Sequence, residues 1–187
     1  MNEIKKDAVW HDFFCTELPT GLWRGELCGL MWADFDEATG TLAVKRTIHM
    51  ENGGRPVVVP PRPGGGPEIF FCRQVPPSFC RNEKKDSWSE WIFPNPLKPE
   101  SSTNPRSVYS HLKALLDSAG LPDIRFHGLR HSYAVAAIRS GDDIKTVQEN
   151  LGHATASFTL DIYRHVTKQM KQASADRMEA YIKNVAK

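Results

Sequence analysis

The sequence predicts an α+β fold that is mainly α-helical, with a small antiparallel three-stranded sheet. Two patterns support this fold class. Apolar residues recur at helical spacing in residues 8–33 and again from residue 104 onward, whereas residues 41–72 are rich in β-forming residues and turn signals. The chain has 187 residues, 40% of them hydrophobic, which is enough for a domain with a real core.

The first helical region, residues 8–33, is interrupted once. The step Pro19-Thr20-Gly21 is expected to separate two helices, with Thr20 as the N-cap of the second. Asp34, Asp36 and Gly40 then predict a turn. The apolar residues of this region are Trp10, Phe13, Phe14, Leu18, Leu22, Leu27, Leu30 and Met31.

Three strands are expected in the middle of the chain. Residues 42–48 form the first, and the turn signal Glu51-Asn52-Gly53-Gly54 leads to a return strand at 57–59. Residues 60–67 are rich in proline and glycine and predict a loop, followed by a third strand at 69–71. Residues 75–106 are polar, proline-rich and expected to be mostly irregular.

The last third of the chain is predicted to be helical. One helix starts at Asn104 or Ser107 and ends at Gly120. The following segments are a helix over 127–139, a helix capped by Asp142 or Asp143 that ends at Gly152, a short helix leading to Tyr163, and a C-terminal tail with an apolar stripe.

Composition restricts the function classes. The chain has 24 Lys and Arg against 22 Asp and Glu, so nucleic-acid binding requires basic residues gathered on one face. The cysteines at 15, 28, 72 and 80 form no CxxC pair and no zinc-type spacing. There is no signal peptide or long apolar run, so a cytoplasmic protein with reduced thiols is expected; a structural disulfide or metal site is the alternative.

Four residues near the C-terminus suggest chemistry on a phosphodiester. His127 and Arg130 are three apart on a helix and share a face, and His153 and Tyr163 follow. An arginine holds phosphate oxygens in a bidentate manner, histidines move protons near neutral pH, and a tyrosine is a covalent nucleophile. Each signal alone also fits a packing role, such as a helix stop or a buried tyrosine.

Longer motifs around these residues strengthen this interpretation, and together they resemble the catalytic domain of the tyrosine recombinases, the phage and transposon integrases. The resemblance covers nearly the whole chain, is greatest to integrases of Gram-positive conjugative transposons and prophages, and is weakest over residues 50–90. The matching segments are Pro19-Thr20-Gly21-Leu22, Arg24-Gly25-Glu26-Leu27, residues 30–36, residues 124–131, residues 146–153 and residues 157–166.

The resemblance implies a reaction and a set of roles. Tyr163 attacks a phosphate of double-stranded DNA, which gives a 3′-phosphotyrosine and a free 5′-hydroxyl, and a partner strand reverses the step without metal, ATP or any other cofactor. Arg130 matches the second of two phosphate-clamping arginines, His127 the proton-transfer histidine and His153 a phosphate hydrogen-bond donor. The catalytic residues are therefore Tyr163, Arg130, His127 and His153, of which Arg130 and His153 bind substrate.

The resemblance also implies an organisation. Residues 1–163 match the catalytic domain, and no N-terminal DNA-clamping domain is expected before them. Residues 164–187 form a helical tail that either packs as a core helix or docks on a neighbouring protomer. We expect a tetramer on DNA, with a monomer as the alternative in isolation, and no membrane partner.

Two cationic positions of the family pattern are altered. Trp23 stands where the first clamping arginine is expected; Arg24 is adjacent, but one helical step rotates a side chain by ~100°. Arg62 stands near the expected leaving-group lysine, and a guanidinium is a poor proton donor. Arg24, Arg62 and Lys45, with Arg46 beside it, are the candidate substitutes.

Three functions therefore compete. The first is site-specific DNA recombination or integration, and the second is an impaired integrase remnant that only binds DNA. The third, a helix-turn-helix regulator, is suggested by the short helices of residues 143–163. It leaves the His127-x-x-Arg130 pair and the hairpin unexplained.

Overall fold

A computed structural model describes residues 2–60, 68–71, 89–151 and 168–185. They belong to two compact units, Met1–Tyr133 and Ala134–Lys187. The expected fold class, mainly helical with small antiparallel sheets, is confirmed. The helices are α1 (Asn2–Thr20), α2 (Arg24–Cys28), a 3-10 turn (Trp32–Asp34), α3 (Pro105–Ser118), α4 (Phe126–Ser140), α5 (Ile144–Asn150) and α6 (Lys168–Val185).

The junction between α1 and α2 differs from the sequence expectation. Thr20 is not the N-cap of α2: its hydroxyl donates to the carbonyl oxygen of Thr16 at 2.7 Å and so belongs to the last turn of α1. Gly21 then adopts a positive φ of 60°, which reverses the chain direction. Trp23 is the extended N-cap of α2, and its backbone N–H donates to Oε2 of Glu26 at 2.7 Å.

The strands are arranged in three small sheets. Strands β1 (Phe35–Asp36), β2 (Thr41–Val44) and β5 (Glu68–Phe71) form a three-stranded antiparallel sheet in the order β1-β2-β5. Strands β3 (Thr47–Met50) and β4 (Pro56–Val59) form a separate hairpin. A second hairpin, β6 (Pro94–Asn95) with β7 (Lys98–Ser102), lies in the region expected to be irregular.

The single strand predicted over residues 42–48 is broken at Lys45 and Arg46. The break is explained by Asp34, whose side chain is 1% exposed. Nη1 and Nη2 of Arg46 both donate to this carboxylate, and the backbone N–H of Met31 donates to it at 2.9 Å. Pairing of a buried charge therefore takes precedence over a continuous strand.

The core of the first unit joins α1 to α3 and to the segment before β6. Phe13 is fully buried and packs edge-on against Phe93, with ring centroids 4.9 Å apart. Helix α3 begins at the N-cap Asn104, as expected, and buries Val108 and Leu112 on one face. This packing fixes α1, whose C-terminal end lies at the site described below.

The second unit contains the end of α4, all of α5 and the tail helix α6. Asp143 is the N-cap of α5, one of the two expected residues, and its Oδ1 accepts from the backbone N–H of Thr146 at 3.0 Å. Val147 and Leu151 are buried. The helix expected to lead to Tyr163 lies outside the described residues. No helix in the described ranges is long and apolar enough to span a membrane.

Candidate functional site

Arg130 is the central cation of the site and is almost fully buried, with 2% exposure. Its Nη1 donates to the carbonyl oxygen of Gly21 at 2.6 Å. The N–H of the same glycine donates to the backbone oxygen of Glu17 at 2.7 Å and closes α1. The turn after α1 therefore orients a main-chain carbonyl towards the guanidinium and fixes it.

Trp23 covers this arginine. Cζ of Arg130 lies 4.6 Å from the centroid of the indole, within the range of a cation–π contact. The imidazole of His127 stacks on the indole at 5.0 Å with an interplanar angle of 21°. His131 meets His127 edge-on at 4.8 Å. The predicted pair His127 and Arg130 is thus assembled around Trp23.

A carboxyl group is buried on α1, close enough to Arg130 for their charges to interact. Glu17 has no exposed surface, and neither carboxyl oxygen has a hydrogen-bond partner among the described residues. Burial raises the pKa of Glu17 to about 8, although the positive charge of Arg130 acts in the opposite direction. Glu17 is therefore mostly protonated at neutral pH and does not neutralise Arg130.

The site opens into a cavity of about 380 Å³. Three arginines and a histidine contribute to its wall, and no carboxylate does among the residues that the structure describes, so this wall favours an anion. In the described part of the chain, no group of three or more His, Cys, Asp or Glu side chains could hold a metal. The lining residues are Leu22, Trp23, Arg24, Tyr109, Arg125, Phe126, His127 and Arg130.

Arg24 reaches this cavity, contrary to the expectation that a helical step turns it away. The rotation argument requires both neighbours to be helical. Trp23 instead has φ −67° and ψ 147°, outside the helix, so the side-chain directions of Trp23 and Arg24 are not related by the helical angle. Both residues line the same cavity.

The other candidate residues are placed differently. Nζ of Lys45 lies 3.4 Å from Oδ1 of Asp34, and Lys45 is absent from the cavity lining. Arg62, His153 and Tyr163 lie outside the described residues, so their roles remain predictions.

Sequence reasoning missed Arg125, Tyr109 and Glu17. Arg125 lies within the matched segment 124–131, two residues before His127, and a positive charge so close to the predicted site is the signal that indicates it. Glu17 follows Phe13 by four residues and therefore shares the apolar face of α1. A single acidic residue on an apolar helix face indicates that its carboxyl group is buried.

Comparison with known families gives one match over most of the chain. Residues 1–170 match the phage integrase family. A XerC-like tyrosine recombinase of Caldanaerobacter subterraneus subsp. tengcongensis is 29% identical, with 88% of this chain and 48% of that protein covered. The tyrosine recombinase XerA of Pyrococcus furiosus is 32% identical, with 82% and 49% covered. The chain thus spans about half the length of these relatives.

Solved structures share the fold. The Tn1549 transposon integrase in complex with transposon right end DNA matches with a TM-score of 0.73 at 20% identity, covering 94% of this chain and 60% of that chain. The crystal structure of XerA recombinase matches with a TM-score of 0.67 at 20% identity, covering 93% and 58%.

Proposed function

The chain belongs to the phage integrase family, and from that premise we propose that it cleaves and rejoins double-stranded DNA at specific sites through a 3′-phosphotyrosine on Tyr163. One observation carries the proposal: His127 and Arg130 meet at a cavity whose charged lining, within the described ranges, is cationic. The relatives named above are tyrosine recombinases.

The proposed reaction is a pair of transesterifications. The Tyr163 oxygen attacks phosphorus, the bond from phosphorus to the 5′ oxygen breaks, and the leaving oxygen takes a proton. Arg130 and His153 bind the non-bridging oxygens, and His127 transfers a proton. A 5′-hydroxyl from a partner strand then attacks the phosphotyrosine and releases Tyr163. No external energy source is required, since one phosphodiester replaces another.

The proton donor for the leaving oxygen is the point at which this chain departs from the family pattern. The family pattern places a lysine on the hairpin, and this chain offers Arg62 and Lys45. Lys45 is paired with Asp34, and a guanidinium hardly releases a proton. Slow cleavage is therefore expected from this chain.

We also propose an oligomeric state for the protein and a role for its C-terminal tail. We expect a tetramer on DNA, with a monomer as the alternative in isolation, and residues 164–187 docking on a neighbouring protomer. The exposed side chains Met178, Tyr181 and Ile182 share one face of α6 and support docking over burial within the same chain.

The proposal is tested with a nicked suicide DNA substrate that traps the phosphotyrosine. We expect a covalent protein–DNA complex that Tyr163→Phe abolishes, while binding of the same DNA persists. A complex that survives Tyr163→Phe contradicts the assignment of the nucleophile.

The impaired-remnant alternative is favoured by the indole over Arg130. It gains support if the wild-type chain binds DNA without a covalent complex and Trp23→Arg forms one. An arginine that stabilises charge in phosphoryl transfer contributes roughly 10³–10⁵ in rate, so the two outcomes are well separated.

A further inference from the structure

We infer that Arg125 is a phosphate-binding residue of this site and, with Arg24, supplies the positive charge that Trp23 cannot. The inference deepens the proposed function, because it names a further contact of the same cavity with the DNA phosphate. It assigns a substrate-binding role to a residue outside the expected set of His127, Arg130, His153 and Tyr163.

The position of Arg125 supports this role. It immediately precedes α4, and its backbone carbonyl accepts from the N–H of Gly128 at 2.7 Å, which anchors its main chain to the first turn of the helix. The helix that positions His127 and Arg130 therefore also positions Arg125. All three side chains line one cavity.

The guanidinium of Arg125 is available for a ligand. Within the described ranges its side chain has no hydrogen bond and no ion pair, and it is exposed. Arg46, by contrast, is occupied by Asp34. A guanidinium with free donors holds two phosphate oxygens at once, which a lysine does not.

Arg24 alone is a weaker candidate for the missing clamp. It also lines a neighbouring cavity of about 260 Å³, and Glu26 contributes to that wall. A carboxylate in the same wall as Arg24 offsets part of its positive charge, whereas no described carboxylate lines the cavity that Arg125 faces. We therefore assign the larger share of phosphate binding to Arg125.

The first experiment uses inorganic phosphate as the probe and the arginine Nε–Hε signals in NMR as the readout. We expect the Arg125 and Arg130 signals to shift together along one saturation curve. Arg125→Gln should weaken phosphate binding about 10- to 100-fold, as expected for the loss of charge-assisted hydrogen bonds. Arg125→Lys keeps the charge and should lose less.

The matched control is Arg106→Gln, an exposed arginine of the same unit that does not line the cavity. It should leave phosphate binding unchanged. Equal phosphate affinity in the wild type and Arg125→Gln overturns the inference. So does a titration in which Arg130 shifts and Arg125 does not.

The nicked DNA substrate separates this inference from the proposed function. If Arg125→Gln loses phosphate binding but the wild type forms no covalent complex, the phosphate-binding role of Arg125 is supported and the proposed cleavage activity is refuted. If both proteins form the complex at equal rates and bind phosphate equally, the activity stands and the role of Arg125 is refuted.

Discussion

Arg130 is anchored by a main-chain atom, because its Nη1 donates to the carbonyl oxygen of Gly21 at 2.6 Å. The arginine is thus a structural tie between α4 and the end of α1 as well as a candidate phosphate ligand. Its removal leaves a buried carbonyl without its donor.

We expect Arg130→Ala to lower the free energy of unfolding by about 2–4 kcal/mol. Urea titration at neutral pH measures the loss. Arg106→Ala, at an exposed position, should change it by less than about 0.5 kcal/mol. Equal effects of the two substitutions would show that the tie to Gly21 contributes no stability.

The buried Glu17 predicts a pH-dependent stability. Its pKa is about 8 in the folded chain against 4.5 as the ordinary value, so the folded state retains a proton that the unfolded state releases between these values. Stability should therefore fall as pH rises from about 4.5 to 8, by at most ~1.4 kcal/mol per pH unit and roughly 4–5 kcal/mol in total.

Glu17→Gln keeps the shape of the side chain and cannot ionise, so it should flatten this part of the stability profile. The profile is measured by urea titration at a series of pH values, with Glu51→Gln on the exposed hairpin turn as the control. An unchanged slope in Glu17→Gln would mean that Glu17 ionises normally in the folded protein.

The carboxylate of Asp34 pairs with Arg46 and Lys45, and we expect these two cations to contribute unequally to stability. Arg46→Gln should destabilise the first unit by about 3–5 kcal/mol, because it leaves a buried charge poorly paired. Lys45→Gln should cost less than about 1 kcal/mol, because the lysine side chain is 49% exposed. Thermal and urea unfolding compare the two, and the reverse order would refute this account of the strand break.

Close packing of α2 against β3 predicts that a side chain at Gly25 destabilises the fold. A Cβ at this position would lie 2.5 Å from Oγ1 of Thr47 and 2.7 Å from the carbonyl oxygen of Ile48. Gly25→Ala should therefore cost about 1–3 kcal/mol through displaced backbone.

Gly128→Ala is the matched control, since its Cβ would meet Ile124 at an ordinary 3.6 Å in a helix. It should be neutral or stabilising by up to about 1 kcal/mol. Urea unfolding curves compare the free energies of unfolding of the two variants. Similar values would contradict close packing at Gly25.

Local signals in the sequence predicted most of the elements. Asn104 and Asp143 begin α3 and α5, where a short polar side chain accepts a backbone N–H. The hairpin turn at Gly53 and Gly54 follows from two residues that accept positive φ.

Features that depend on contacts between distant residues could not be predicted from local sequence signals. The break at Arg46 is caused by Asp34, twelve residues earlier. The direction of the Arg24 side chain depends on the extended backbone of Trp23, which the helical spacing of apolar residues does not predict. Arg130 and Gly21 are joined across 109 residues, so the site depends on tertiary packing.

A backbone anchor has an evolutionary consequence. The carbonyl of Gly21 is present whatever side chains follow it, so the residue at position 23 is not needed to hold Arg130 in place. Position 23 can therefore vary without loss of this anchor. Because the tryptophan codon TGG differs from the arginine codons CGG and AGG at one base, an exchange between Trp23 and arginine takes a single point mutation.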